Sequence, residues 1–447
     1  MANLIVSVSG VRGIIGDGLT PMVATAFASA LGQSVGSAGG PVLLARDSRP
    51  SGPMLRHAVI AGLEAAGCDV VDLGILPTPT VGVAVREMKA SGAVQITASH
   101  NPAPWNGLKL FGPDGAVLSA ERGAEVKRLY DTGPSLAPWD KLGGFREEAG
   151  AGDWHLERVL RHVDVGGIKA RGFRVLLDAN GGAGGSLGAR LLQSLHTNNQ
   201  VIGGDQDGRF AHPPEPLEEN VGDVLEAVKG SQVDLGFILD PDADRLALVD
   251  GAGRYLGEEL TLALAVLARL RVDQGPVVIN MSTSRVIEDL AARFGVPCHR
   301  SAVGEANVVA KMREVNALIG GEGNGGVIDP RIGWVRDPFI GMALTLDLLV
   351  ARKTSLEHIV SELPRYVIVK DKAAIAPARL PDAYRRLTSG WPEAKANTLD
   401  GLRLDWPDRW VHLRPSNTEP IVRIIAEAPA ADEARRLIEQ TRTLATI

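Results

Sequence analysis

The sequence predicts an α/β protein: three similar α/β domains with mixed sheets, then a small C-terminal α+β domain. Three observations lead there. One plan recurs in three segments, each a short β-rich run, a Gly- or Ser-rich turn, an amphipathic helix and a return strand. The segments are "PVLLARDSRPSG" through "CDVVDLGILPTP", then "FRVLLDANGGAGGSLGARLLQSLH", then "PVVINMSTSRVIEDLAARFGVPCHRSAVG". Turn-rich gaps separate these units. Finally, the composition changes after "YVIVKDKAAIAP", residues 366–377. The recurrence is topological, without a strict sequence period, which excludes a solenoid.

In chain order, the first unit (1–148) holds the first repeat and ends in the loosened stretch "DTGPSLAPWDKLGG", 131–144. The second (149–251) starts with a helix around 153–163 and ends near "VDGAGRYLG". The third (252–365) carries the third repeat. The fourth (366–447) reads as a helix near 381–389, alternating strands through "LDGLRLDWPDRWVHLRPSNTEPIVRIIAEA", and a final helix from about Ala431.

Length and composition allow several cores: 447 residues, 45% hydrophobic. A formal net charge of −6, from 47 basic and 53 acidic residues, excludes a general nucleic-acid binder. The charges are scattered, which argues against disordered tails. Cys68 and Cys298 stand in apolar surroundings and read as buried thiols, so neither a disulfide framework nor a zinc site is expected. "MANLIVSVSG" lacks the basic start of a signal peptide, and no apolar run is long enough to cross a bilayer. The expectation is a soluble cytoplasmic protein without nucleic-acid or membrane partners. Nothing in the sequence specifies an oligomeric state.

Four stretches carry chemistry. In "VDLGFILDPDADRLALVD" (233–250) an apolar strand delivers Asp240, Asp242 and Asp244 at its end. Three carboxylates at alternate positions repel unless solvated or sharing a hard cation. An EF-hand is excluded, because Arg245 and Gly251 stand where that loop needs Gly and Glu. Mg²⁺ is favoured, since three single-oxygen acids leave room for a phosphate oxygen and water. The stretch also resembles the nucleophile strand of haloacid-dehalogenase-type phosphatases. That family usually has Thr or Val where Ala243 stands, and asks for neither Asp244 nor Arg245.

In "QITASHNPAPWNGLKLFGPDG" an apolar strand runs into Ser99, His100, Asn101 and Pro102. The loop reads either as a plain turn or as a presented nucleophile. "IGGEGNGGVIDP" (319–330) fits G-x-G-x-x-G on paper, but Pro330 follows and no helix begins, so a dinucleotide fingerprint is rejected. Glu322 and Asn324 on such a turn suit sugar hydroxyls. "LRPSNTEPIVRIIAEA" (413–428) gathers Arg414, Ser416, Asn417, Thr418 and Arg423, groups suited to a phosphate dianion. Arg12, between Gly10 and Gly13, suits close approach of another phosphate.

Taken together, "SGVRG", "TASHNP", "NGLKL", "DPDADR", "GEGNGG" and "RPSNTEP" resemble the α-D-phosphohexomutase family, in family order over essentially the whole chain. That family includes phosphoglucomutase/phosphomannomutase and phosphoglucosamine mutase. The resemblance implies four domains around one central cleft. It implies that Ser99 carries the catalytic phosphoryl group, and that one Mg²⁺ sits on Asp240, Asp242 and Asp244 with Ser99. It makes Glu322 and Asn324 the sugar readers. Arg414, Ser416, Asn417, Thr418 and Arg423 become the clamp on the non-reacting phosphate. Arg12 and Arg245 add positive charge. His100 or Lys109 moves the hydroxyl proton, with Lys109 preferred. A hexose 1,6-bisphosphate is the expected activator. Many relatives have Glu-Met-Ser-Gly-His or Glu-Gln-Ser-Gly-His where this chain has Glu322 to Gly326, and Lys where it has Ala302. These departures leave the acid/base group and the sugar open. The expectation leans to glucosamine phosphate, with glucose and mannose phosphates as the alternative. A phosphatase or a non-catalytic sugar-phosphate binder is the alternative of another class.

Overall fold

A computed structural model describes residues 4–7, 10–36, 39–415 and 421–447. Four sheets follow one another along the chain. The first runs Leu4–Ser7, Gly10–Ile14, Trp105–Phe111, Gly92–Ile96, Val42–Arg46, Val70–Ile75 and Phe145–Glu147. Its repeat strands Val42–Arg46, Val70–Ile75 and Gly92–Ile96 are parallel neighbours, while Trp105–Phe111 returns antiparallel. Helices cover both faces. Pro21–Val35 and Gly52–Ala65 pack on one core, and Thr78–Glu87 packs on another.

The second sheet orders Tyr255–Leu256, Leu246–Asp250, Leu235–Leu239, Arg174–Asp178 and Asn198–Ile202. It therefore runs on to Leu256, a few residues past the expected boundary. The third orders Cys298–Ser301, Val277–Asn280, Ile319–Glu322 and Gly326–Ile328. Helices Gly257–Leu270 and Pro338–Arg352 lie in one core that the second and third units share.

One feature recurs in all three sheets. A buried strand with one parallel neighbour ends in a loop, and the chain returns antiparallel on its other side. These returns are Gly92–Ile96 to Trp105–Phe111, Leu235–Leu239 to Leu246–Asp250, and Ile319–Glu322 to Gly326–Ile328. The intervening loops hold Ser99, the three Asp, and Asn324. Buried strands fix such loops more firmly than a surface turn would, because each loop begins from a backbone already held by its neighbours.

The fourth sheet is antiparallel throughout, in the order Val367–Ala374, Ile421–Ala428, Trp410–Pro415, Leu402–Asp405 and Lys395–Asn397. Alternation gives it two unlike faces. Val422, Ile424, Ala426, Val411 and Leu413 join the core beneath helices Leu380–Gly390 and Ala431–Ala445. Arg423, Glu427, His412 and Arg414 share the other face, which turns toward the third unit.

Candidate active site

Ser99 is buried, and its backbone has φ +52°, a conformation few non-glycine residues adopt. The loop around it is held at many points. Thr97 Oγ1 accepts from Ser99 N at 2.8 Å and donates to Asp47 Oδ2 at 2.7 Å. Arg49, fully buried, donates to the carbonyls of Ser99 (2.7 Å), Asn101 (2.6 Å), Pro102 (2.8 Å) and Trp105 (3.1 Å). Its charge is met by Asp47 Oδ2 at 3.0 Å. Neither Asp47 nor Arg49 stands out in the sequence; their one signal is the charged turn "RDSR" directly after strand Val42–Arg46.

The strand Leu235–Leu239 is buried along its whole length, and Asp240, Asp242 and Asp244 are fully buried at its end. Asp242 and Asp244 each have one oxygen engaged, and Asp240 has both. Asp240 Oδ1 accepts from the backbone of Asp244 (3.0 Å) and Arg245 (3.1 Å). Asp242 Oδ2 accepts from Thr78 Oγ1 (2.8 Å) and Lys109 Nζ (3.1 Å). Asp244 Oδ2 accepts from Lys109 Nζ (2.7 Å) and Arg336 Nη2 (2.6 Å). The second oxygens of Asp242 and Asp244 are buried without a partner among the described residues. Asp240 Oδ2 faces Ser99 Oγ at 3.4 Å. One oxygen from each acid lies within 4.8 Å of the others. Three buried carboxylates, two with an oxygen free and the third meeting only the Ser99 hydroxyl on its Oδ2, fit a small hard cation with octahedral preference, as Mg²⁺ has.

Electrostatics divide the three acids. Burial, then Asp242 and Asp244, raise the Asp240 pKa well above the carboxylate range. Burial acts the same way on Asp244, but Arg336, Lys109 and Arg245 overcome it and hold that group far below its ordinary value. Lys109 is the converse case. Burial lowers its pKa, yet Asp242 and Asp244 raise it above the usual lysine value. His100 Nδ1 lies 3.3 Å from Ser99 Oγ and accepts from Arg245 Nη2 at 3.0 Å. Burial, then Arg245 and Arg12, push its pKa far down, so the ring is neutral with the proton on Nε2. Arg12, on the strand Gly10–Ile14 beside Trp105–Phe111, feels Asp242 and Asp244 against a burial that lowers its pKa.

Glu322 comes into the same network. Its Oε1 accepts from Asn280 Nδ2 (2.8 Å) and Gly304 N (3.0 Å), and its Oε2 from Arg336 Nη1 (3.0 Å). Asn324 Oδ1 is buried without a partner among the described residues. Beside it, a Cβ at Gly323 would fall 2.1 Å from Glu259 Oε1, so the Glu259 carboxylate occupies the place of a side chain there. Burial raises the Glu259 pKa to about 8 against the pull of Lys370. Thr78, Glu259 and Arg336 carry no local sequence signal; each arrives from a distant element.

The structure thus brings Arg12, Ser99, His100, Lys109, Asp240, Asp242, Asp244, Arg245 and Glu322 together. Arg414 and Arg423 stand apart on the fourth sheet, and no hydrogen bond or ion pair joins them to that cluster among the described residues. Strand register places Arg414 opposite Arg423 and Arg423 opposite Lys372. Arg423 and Lys372 are exposed, and Arg414 Nε lies 3.2 Å from Asp400. Three cations in cross-strand register repel one another, which an arriving anion would relieve. Ser416, Asn417 and Thr418 lie outside the described residues.

Comparison with known proteins gives the family. Residues 4–136, 153–253 and 257–366 match phosphoglucomutase/phosphomannomutase alpha/beta/alpha domains I, II and III, and residues 366–444 match the C-terminal domain of that family. A "Probable phosphoglucosamine mutase" of Methanopyrus kandleri is 35% identical over 437 residues, covering 97% of this chain and 95% of that protein. A "Phosphoglucomutase/phosphomannomutase" of Thermococcus kodakarensis is 36% identical, covering 96% of each. The crystal structure of a phosphoglucomutase/phosphomannomutase family protein from Burkholderia thailandensis superposes with a TM-score of 0.87 at 28% identity, covering 99% of this chain and 97% of that one. The chain belongs to the phosphoglucomutase/phosphomannomutase family, whose members are phosphosugar mutases.

Proposed function

We propose that this family member interconverts hexose 6-phosphate and hexose 1-phosphate through phospho-Ser99 and a hexose bisphosphate intermediate. The observation that carries the reading is Ser99 Oγ, held in a strained and heavily braced loop and donating at 3.4 Å to Asp240 in a cluster of three buried acids, two of which keep an oxygen free. Asp240, Asp242 and Asp244 would hold one Mg²⁺, with Ser99 or its phosphate beside it. That ion, when bound, supplies positive charge to phosphoryl oxygens. The chain's own residues do the rest. Arg12 and Arg245 add positive charge where the phosphoryl oxygens lie. In the first half-reaction the phosphorus–Oγ bond of phospho-Ser99 breaks as a bond to the free sugar hydroxyl forms. The hydroxyl proton ends on the Ser99 side, and the bisphosphate then turns and reverses the step. A hexose 1,6-bisphosphate would prime Ser99.

Lys109, the sequence's first choice for moving that proton, is held as a cation by two aspartates and suits charge neutralisation better. Proton movement falls to His100, 3.3 Å from Ser99 Oγ, although burial, Arg245 and Arg12 hold its pKa far down while Arg245 donates to Nδ1. A phosphoryl group that attracts Arg245 would free the Nδ1 lone pair for it. Arg414 and Arg423, with Lys372 alongside, fit the role of clamp on the non-reacting phosphate, and Ser416, Asn417 and Thr418 share it by their place in the motif. Glu322 and Asn324 read the ring.

For the sugar we favour glucosamine phosphate. The motif "RPSNTEP", with its Glu419, resembles the glucosamine enzymes more than the glucose/mannose ones. The glucosamine name of the Methanopyrus relative agrees, and the glucose/mannose name of the Thermococcus relative marks the alternative. Initial rates on glucosamine, glucose and mannose 6-phosphates, primed with hexose bisphosphate, decide this. The expected result is the highest kcat/KM for glucosamine 6-phosphate. A higher value for glucose or mannose removes the assignment.

A further inference from the structure

The hairpin that carries Glu322 and Asn324 is shaped around a side chain from elsewhere. A Cβ at Gly326 would fall 2.2 Å from Arg336 Cδ and 2.8 Å from its Cγ, far inside carbon contact distance. Glycine at 326 is therefore what admits Arg336. The guanidinium that passes over it forks. Nη1 donates to Glu322 Oε2 at 3.0 Å and Nη2 to Asp244 Oδ2 at 2.6 Å. The backbone N–H of Arg336 donates to Glu305 Oε1 at 2.9 Å, and Nε lies 3.6 Å from Glu305 Oε2. The next residue fixes the chain again. Asp337 N donates to Val327 O at 2.7 Å, and its carboxylate caps the helix Pro338–Arg352.

We propose that Arg336, admitted by Gly326, is a positioning residue that ties the sugar reader Glu322 to Asp244 and restricts Asp244 to one ligand oxygen. Lys109 and Arg336 together fill Asp244 Oδ2, and Oδ1 has no partner among the described residues. A cation meets a single oxygen there. That presentation suits Mg²⁺, which demands octahedral geometry, over Ca²⁺, which takes more oxygens and accepts bidentate carboxylates. At the other end of the fork, Glu322 Oε1 already accepts two N–H groups and Oε2 accepts one. A single acceptor position is left for a sugar hydroxyl. One guanidinium thus sets both the cation's oxygen and the ring's register relative to Ser99. The sugar half of this inference rests on the mutase reading; the cation half does not.

The test uses the full chain in four forms: Arg336→Gln, Arg336→Lys, Gly326→Ala, and the double variant Gly326→Ala with Arg336→Gln. Metal-free protein is titrated separately with Mg²⁺ and Ca²⁺ by calorimetry, and kcat/KM is measured on a hexose 6-phosphate. Removing a charge alone changes both cation affinities by a similar factor, so their ratio reports position. The preference for Mg²⁺ over Ca²⁺ should fall about tenfold in all three single variants, and kcat/KM about 10–100-fold. Lysine keeps the charge but has no planar fork for two carboxylates, so it should not rescue. The double variant should be no worse than Arg336→Gln, because Gly326→Ala acts by expelling the same side chain. An unchanged cation ratio in Arg336→Gln, full rescue by lysine, or additive losses in the double variant overturns the proposal. Should Gly326→Ala fail to fold, the two Arg336 variants decide. A wild-type protein that turns over no hexose phosphate refutes the mutase reading and leaves the cation test standing.

Discussion

Arg49 does for the Ser99 loop what no strand ladder does there. The carbonyls of Ser99, Asn101, Pro102 and Trp105 converge on one buried guanidinium, whose charge is met by Asp47. Arg49→Met should therefore leave the buried Asp47 without its counter-charge, at a cost of about 3–5 kcal/mol. A urea unfolding midpoint checks this, and a loss below about 1 kcal/mol would mean that the loop holds itself. At this scale the sequence was legible wherever chemistry sits in consecutive residues. Ser99, His100 and the three Asp announce themselves because loop residues after apolar strands carry unusual groups. Arg49 and Arg336 do not, although they organise those same groups. Each is one of 47 basic residues, and its partners lie far away in sequence, Asp244 being 92 positions before Arg336.

Three elements from three units meet at a buried polar strut. Thr80 Oγ1, on helix Thr78–Glu87, lies 2.9 Å from His155 Nδ1. His155, on helix Ala151–Leu160, reaches Asp337 Oδ2 at 2.9 Å, and Asp337 Oδ1 caps helix Pro338–Arg352 through Phe339 N at 2.8 Å. The arrangement has the composition of a Thr–His–Asp relay. All three side chains are sealed from solvent, however, which makes it a brace. His155→Leu strands Thr80 and Asp337, each at about 1–3 kcal/mol. Thermal unfolding should show a clearly lower Tm with KM little changed; an unchanged Tm with lost activity would make the triad chemical. The elements themselves were largely readable. The repeated strand–turn–helix plan appears as expected, and the last helix, Ala431–Ala445, starts where expected. The short strand Tyr255–Leu256 was not readable. Two residues carry no periodicity, and only pairing with Leu246–Asp250 reveals them.

Across the whole molecule, the polar face of the fourth sheet is docked on the third unit. Arg403 Nη1 donates to Met281 O at 2.5 Å, Arg285 N to Glu427 Oε1 at 3.0 Å, and Val303 N to Asp400 Oδ2 at 3.0 Å. His412 lies among these contacts, with Nε2 2.5 Å from Asp400 O and Nδ1 2.9 Å from Ser282 Oγ. Burial pushes its pKa down to about 4 from 6.5, with Arg403 and Arg414 adding to burial, and the Asp400 carbonyl and charge opposing. A depressed histidine stabilises the docked form above the unfolded value of 6.5, and that contribution is lost as pH falls toward about 4. The Tm should therefore fall between pH 7 and pH 4.5 by less in His412→Asn than in the wild type; equal falls would remove His412 from the account. The four-domain architecture was legible because one strand–turn–helix plan recurs three times and the composition changes after it. The docking contacts were not, since each joins residues with no local pattern. The mutase reading itself turns on one covalent state. Protein incubated with hexose 1,6-bisphosphate, then chased with hexose 6-phosphate, is followed by intact mass and peptide mapping. The account predicts one phosphoryl group on Ser99 before the chase, its loss during the chase, and neither phosphorylation nor turnover in Ser99→Ala. A phosphoryl group on Asp240, released by hydroxylamine, or undiminished turnover in Ser99→Ala would contradict it.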